Sequence, residues 1–445
     1  MTRRRPQPAP TVRVASAGTG KTTSLVLRYL QLIDEGVALR RVAGVTFTRA
    51  AADELRQRVG EAIVQVRGGG DYLGGLFLAS AGSEERFRLA AAELEGALLT
   101  TIHGFMIAGL RLNAPQMGLD PGFTILAEWE AQALFEVELT SLLLLAQDPA
   151  HYLHGPARYL GNEAVPKAVR LFQKRSLAER LTFGRSAEDV ALSRVYEAAL
   201  NAFDRRLGAT SLAPGEVERR ALQLLGVPRA RERLAERYPR VLVDEYQDVN
   251  PLQGRFFERL AEVGVALELV GDPKQSIYGF RNADILSYLD AADHAEKASL
   301  GTNHRSDPGI VDGVTSLLDR LHLGDERIQV TPVATKHAPR LDLGIAEPSR
   351  IWIRRVAVPE PLVHDEVATS DLVRQIDNLL QHCRIDGDPV TPADITVLAR
   401  TANTARRVTA RLTELGYPAV QFGGTSVWGQ PAATDWKRLL KALVP

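Results

Sequence analysis

Residues 15–22 read Ala-Ser-Ala-Gly-Thr-Gly-Lys-Thr, and residues 241–248 read Val-Leu-Val-Asp-Glu-Tyr-Gln-Asp. In the first segment Gly18 and Gly20 permit positive φ and let backbone N–H groups close on an anion with no Cβ in the way. The backbone of Ala15, Ser16, Ala17, Gly18, Thr19 and Gly20 can then cradle phosphates, with Lys21 reaching the outer ones and the Thr22 hydroxyl ligating Mg²⁺. Ala15 stands where the G-x-x-x-x-G-K-[ST] pattern begins with glycine, so the strict pattern is not met, and taken alone the segment also fits a plain turn with a surface lysine. In the second segment an acidic pair follows an apolar strand. Asp244 suits a divalent cation, often through water, and Glu245 suits the base that orients and deprotonates an attacking water. A solvated acidic loop is the other reading of that segment. Together, in this order, the two describe hydrolysis of ATP or a close relative.

These groups need elements to hold them. Thr11–Ala15 alternates as a short strand and Thr22–Ile33 carries apolar residues at helical spacing, so the glycines fall in a strand-to-helix turn. The helix would present its unpaired N–H groups and positive dipole end to the phosphates. Val241–Val243 reads as a strand whose carboxyl end, the ligand-binding edge of such sheets, delivers Asp244 and Glu245. Strand–helix alternation continues through residues 42–59, gives way at about Met106 to long helical patterns as far as Tyr238, and resumes from Arg240 to about Asp312. Further on, strands are expected at Arg350–Val356, Ile395–Arg400 and Tyr417–Phe422, with helices at Asp365–His382 and Ala402–Leu415 and one more before Pro445.

The 445 residues suffice for two or three domains. Formal net charge is zero, so composition gives no argument for nucleic acid, and a basic groove would have to be local. The single cysteine, Cys383, excludes an internal disulfide and fits a reducing cytoplasm. No apolar run approaches the roughly 20 residues of a membrane span, and the basic start, Arg3 to Arg5, leads into a proline-rich stretch unlike a signal peptide. A cytoplasmic protein with no membrane association is expected.

Four more segments add specificity: Val-Thr-Phe-Thr-Arg-Ala-Ala-Ala-Asp-Glu-Leu at 45–55, Thr-Thr-Ile-His-Gly-Phe at 100–105, Val-Gly-Asp-Pro-Lys-Gln-Ser-Ile-Tyr-Gly-Phe-Arg at 270–281 and Thr-Asn-His-Arg-Ser at 302–306. With all six in order, the chain resembles superfamily 1 DNA helicases of the UvrD/Rep type, and within them the RecB/AddA branch. The resemblance implies an α/β P-loop NTPase: a RecA-like ATP-binding lobe from residues 1–105 and 238–298, a helical insertion at 106–237, and an incomplete second RecA-like lobe at 299–445. It implies that Gln275 senses the γ-phosphate and that Arg305 closes the site from the second lobe, with a surface arginine as the alternative. Gln247 and Asp248 would brace the site. Single-stranded DNA, or DNA with a single-stranded tail, would lie near Thr46, Phe47, Thr48 and Arg49, near Thr101 and His103, and near Tyr278, Phe280 and Arg281, through base stacking and phosphate contacts. Core packing competes with stacking for Phe47 and Phe280, and a structural hydrogen bond competes with DNA for His103. Movement 3′→5′ in DNA repair or recombination follows from the resemblance and from no residue by itself.

The chain departs from that pattern in two places. At the adenine end, Thr23 and His304 replace the usual arginine and tyrosine and only Gln7 lies upstream, so relaxed base selectivity is expected, with His304 still able to stack. The family's later motifs, with a second insertion, do not occur before Pro445. The expectation is therefore a truncated product, a partner protein or chain that supplies the missing half, or a nucleotide-gated single-strand binding protein without productive unwinding. A small-molecule kinase or generic P-loop NTPase is disfavoured for want of an acceptor-site motif.

Overall fold

Six short runs, mostly apolar, line up in parallel to form the central sheet. In the computed structural model, which describes residues 10–175, 183–279, 283–319, 321–336, 338–343, 350–355, 364–421 and 431–443, they are β1 (Thr11–Ala15), β2 (Val42–Thr46), β3 (Leu99–Thr101), β6 (Arg240–Val243), β7 (Ala266–Gly271) and β8 (Glu296–Leu300), in the order β3-β2-β6-β7-β1-β8. Two-residue strands β4 (Thr124–Ile125) and β5 (Ser211–Leu212) pair separately. Parallel strands covered on both faces read as near-continuous apolar runs, and side chains divide by alternation. Val241, Val243, Leu267 and Leu269 enter one core, and Leu242 and Val270 enter the other.

The second of these cores is closed by α1 (Lys21–Asp34), α2 (Arg49–Arg67) and α3 (Glu84–Glu93). The first is closed by α4 (Ile102–Leu112) and by helices much later in the chain. The chain runs through α5 (Glu128–Leu145), α6 (His154–Leu160), α7 (Ala164–Arg175) and α8 (Ala187–Leu207), which bury Phe135, Tyr196 and Phe203 in a core of their own. It then returns as α9 (Glu216–Gly226), α10 (Pro228–Arg237), α11 (Pro251–Glu262) and α12 (Ile285–Asp293). Phe105 of α4 stacks on Phe257 of α11 at 6.5 Å between ring centroids and meets Phe256 edge-on. Helix α9 therefore packs against the core of the sheet and not with the four helices before it, a division that helical periodicity alone does not reveal.

Two compact units result, one from residues through Asn303 with His322–Ala334, the other from His304–Leu321 with the residues from Thr335 onward. In the second unit α13 (Pro308–Leu318), α14 (His364–His382), α15 (Ala402–Glu414) and α16 (Pro431–Leu443) are the main elements. Val373 and Ile376 of α14 bury against Val408 and Leu412 of α15. The strands expected there are not formed among the described residues: 350–355, 395–400 and 417–421 are irregular. Ile353, Leu398 and Val420 are exposed. A strand needs a paired neighbour as well as a suitable sequence, and these three stretches have no ladder partner among the described residues. Three short antiparallel strands, at Leu341–Asp342, Arg384–Ile385 and Asp388–Pro389, form instead.

Candidate functional site

The turn between β1 and α1 is built by glycine backbone angles. Gly18 has φ +77° and Gly20 has φ +82°, and Gly20 is the left-handed residue from which α1 starts. Thr19 closes the turn with its N–H and its hydroxyl, both donating to the Ser16 carbonyl, at 3.2 and 2.8 Å. Asn303, buried beneath this turn, donates from Nδ2 to the Ala17 carbonyl at 2.9 Å. A Cβ on Gly18 would come within 2.7 Å of the Asn303 side chain. Asn303 lies in the Thr-Asn-His-Arg-Ser segment, which the sequence singles out for Arg305; that its neighbour holds the turn is visible only in the fold.

Lys21 points from this turn to the end of β6. Its Nζ lies 2.7 Å from Glu245 Oε2. Glu245 itself has φ +51°, a left-handed conformation for a residue with a Cβ. Such an angle costs on the order of 1–3 kcal/mol and persists where surrounding contacts enforce it. Asp244, one residue earlier, is 8% exposed. Burial, and then the neighbouring Glu245, push its carboxyl up to about 6. The Glu245 N–H, donating to Asp244 Oδ1 at 3.0 Å, and the Lys21 charge offset only part of that cost at the mouth of a buried strand.

This donor set fits Mg²⁺. The ion takes hard oxygen ligands, commonly one or two carboxylates completed by substrate phosphates. Asp244 and the Thr22 hydroxyl at the start of α1 supply that chemistry, and no cluster of three or more His, Cys, Asp or Glu occurs among the described residues to form an all-protein cage. The strain at Asp244 is testable without substrate. A group whose folded pKa lies above its unfolded value costs stability that grows as pH rises past the unfolded pKa and is complete above the folded one. Asp244→Asn is therefore expected to stabilise the metal-free chain near neutral pH, by on the order of 2 kcal/mol, with the gain fading as pH falls below about 6. Thermal melts of both proteins across that range check it.

Gln247 ties Glu245 to the next strand end. Its Nε2 donates to Glu245 Oε2 at 2.9 Å and, at longer range, to Asp248, while its Oε1 accepts the backbone N–H of Asp272 at 3.0 Å. The close approach depends on Gly271, where a Cβ would sit 2.7 Å from Gln247 Oε1. The Asp272 carboxylate then takes Lys274 Nζ and Gln275 Nε2, both at 2.8 Å, and the Ser276 hydroxyl donates to the Gln247 carbonyl at 3.2 Å. Burial lifts the Asp248 carboxyl to about 6, and its Oδ1 is buried with no hydrogen-bond partner among the described residues.

Of the residues expected at DNA, Thr46, Phe47, Thr48, Arg49, Thr101 and His103 lie on the same sheet edge, at the ends of β2 and β3. Thr46 is buried and its hydroxyl donates to the Thr48 carbonyl at 2.9 Å. Thr48 caps α2 by accepting the Ala51 N–H, and Thr101 caps α4 by accepting the Gly104 N–H, both at 3.1 Å. Arg49 is exposed at the start of α2. Phe47 is half-buried against the core and its ring lies 5.2 Å from that of Tyr278, so packing and a face shared with Tyr278 coexist. His103 donates into a hydrogen bond with Glu218 at 3.0 Å while half its side chain is exposed. Phe280 and Arg281 lie outside the described residues. His304 and Arg305 are exposed in the second unit, where the Arg305 carbonyl accepts Arg340 Nη2 at 3.0 Å. Thr23 lies in the first turn of α1.

No helix among the described residues is long and apolar enough to cross a membrane. The sequence model of the UvrD/REP helicase N-terminal domain matches residues 5–296. The chain is similar to the RecBCD enzyme subunit RecB of Mycobacterium tuberculosis, 32% identical over 97% of this chain and 42% of the relative. It is also similar to the same subunit of Mycolicibacterium smegmatis, 33% identical over 98% of this chain and 42% of the relative. DNA helicase II of Escherichia coli is 28% identical over 69% of this chain and 38% of its own length. The chain thus spans about two fifths of the curated relatives it matches. A domain match across most of the chain and 32% identity across nearly all of it make it a member of the UvrD/Rep-type superfamily 1 helicases, on the RecB-like branch.

Proposed function

We propose that the chain binds and hydrolyses ATP with Mg²⁺ and uses that reaction to move 3′→5′ along single-stranded DNA, as the motor of a helicase acting in DNA repair or recombination. The observation that carries the reading is the contact of Lys21 with Glu245, with Gln247 linking that carboxylate to the loop that bears Gln275 and Tyr278.

The chemistry follows from competition for Lys21. Without nucleotide, its ammonium neutralises Glu245. Phosphates entering the turn draw Lys21 to themselves, with the N–H groups at the start of α1 as further donors. Glu245 is then released to accept a proton from the attacking water, and its Oε1, which no described residue occupies, is the atom placed to take it. Mg²⁺, held through Thr22 and Asp244, would neutralise phosphate charge when bound. In this reading Gln275 senses the γ-phosphate and Arg305 neutralises charge on the γ-phosphoryl group in the transition state. Thr48, Arg49, Thr101, His103, Phe47 and Tyr278 supply the DNA-facing end of the same edge.

The test is ATP hydrolysis with and without single-stranded DNA, using Glu245→Gln as the blank, followed by unwinding of duplexes with a 3′ or a 5′ tail. Stimulation by DNA and preference for the 3′ tail are expected. Binding of both ligands with no DNA-dependent turnover would overturn the motor reading in favour of a nucleotide-gated binding protein.

A further inference from the structure

Glu218 is buried to 3% exposure, sits on α9, and has no part in the nucleotide chemistry. Its Oε1 accepts three donors: His103 Nε2 at 3.0 Å, Gln253 Nε2 at 3.2 Å and Asn250 Nδ2 at 3.3 Å. Asn250 and Gln253 form the capping box of α11, immediately after the Asp-Glu-Tyr-Gln-Asp segment. A carboxylate taken this far from water is costly unless it is hydrogen-bonded and paired, and these three donors meet that requirement. Two of them are uncharged amides, so His103 is the counter-ion. The charges nearest along α9 are occupied elsewhere, since Glu216 pairs with Arg219 at 2.9 Å and with Arg220 at 3.4 Å. Facing the same core from α10 are Ala230 and Leu234.

The consequence lies on the other side of the imidazole. A neutral histidine carries one N–H, and a carboxylate on one nitrogen fixes that proton there. With Glu218 on Nε2, neutral His103 has a bare lone pair at Nδ1, which repels a phosphate oxygen. Protonated His103 has an N–H at Nδ1, which binds one. Nδ1 has no partner among the described residues, half of the side chain is exposed, and His103 stands next to the Thr101 cap at the end of β3, beside the end of β2 that carries Thr48 and Arg49. We propose that His103 is a proton-gated ligand for a DNA phosphate and that Glu218 is its positioning residue, fixing which nitrogen faces the strand and holding the ring in its charged form. This rests on the DNA-binding reading above.

The electrostatics agree in direction. The Glu218 hydrogen bond raises His103 above its ordinary 6.5, outweighing burial. Burial pushes Glu218 up, but His103, Asn250 and Gln253 together bring it below its ordinary 4.5. The charged pair is therefore the stable form between those values and persists above 6.5 until His103 loses its proton. Phosphate binding at this position should fade as pH rises through that raised value.

The experiment is equilibrium binding of a fluorescent oligothymidylate to the chain from about pH 6 to pH 9, at several salt concentrations, for the unmodified chain, His103→Gln and Glu218→Gln, with thermal melts at each pH. The unmodified chain is expected to lose roughly tenfold in affinity across that range, as for one charge-assisted hydrogen bond, and its salt slope to shrink by about 0.7 as one phosphate contact is lost. His103→Gln should bind weakly throughout with no pH step. Glu218→Gln should keep the step but move its midpoint to lower pH, which a purely structural role for Glu218 would not do. A flat profile in the unmodified chain, or a midpoint unmoved in folded Glu218→Gln, overturns the proposal while DNA binding stands. Absence of binding by the unmodified chain at every pH overturns the DNA reading and this proposal together.

Discussion

Glu245→Gln is expected to lower ATP turnover by roughly 10²–10⁴-fold, the usual contribution of a positioned general base, while leaving nucleotide binding intact or several-fold tighter. The two halves of that result have one cause. Glutamine keeps the shape and can still accept from Gln247, but it cannot take a proton from water. It also cannot hold Lys21 as an ion pair, and in this structure that pair, at 2.7 Å, is what phosphates must break to gain the lysine. The exposed fraction of Glu245 is about a third, so the pair is partly screened and its loss should help binding modestly. Nucleotide affinity by fluorescence and single-turnover hydrolysis separate the two effects. Turnover within tenfold of the unmodified chain would show that another group is the base.

Glu245 is legible in the sequence because an acidic pair after an apolar strand has few structural uses. The same holds for Gly18 and Gly20, whose positive φ values follow from the turn they must make. Contacts between distant segments of the chain are not legible in this way. Asn303 holds the carbonyl of Ala17, and Glu218 holds His103, yet nothing local to either residue marks it. Thr48 and Thr101 sit in segments matched to DNA contacts, but their hydroxyls are also helix caps. The sequence suggests a DNA contact for such residues, and geometry shows the cap that the sequence does not. The strand expectations of the second unit fail for a related reason. Apolar alternation at 350–355 and 395–400 states a local preference, whereas a strand is a property of a pair.

If the proposed function holds, replacement of Gln247 by leucine tests how hydrolysis reaches the DNA edge. The side chain is 1% exposed, and both ends of its amide are used: Nε2 on Glu245 and Asp248, Oε1 on the N–H of Asp272. Leucine fills similar space but leaves the Asp272 N–H buried and unpaired, and withdraws a donor from two carboxylates. At about 1–3 kcal/mol for each stranded group, a stability loss of roughly 2–4 kcal/mol is expected, measured by denaturant titration. The functional loss should take a particular form. Glu245 keeps Lys21 and its own backbone, so basal turnover should fall less than in Glu245→Gln. The loop from Asp272 to Tyr278, however, would keep only the Ser276 hydroxyl on the backbone carbonyl of residue 247 and lose its side-chain link to the base. Its Lys274 and Gln275 contacts to the Asp272 carboxylate close on themselves, so the loop can persist without following Glu245. Stimulation of hydrolysis by single-stranded DNA should then drop about tenfold or more at saturating DNA, beyond any change in basal rate. If Gln247→Leu folded and kept full stimulation, the coupling would have to run by another route, and the amide's role would be confined to stability.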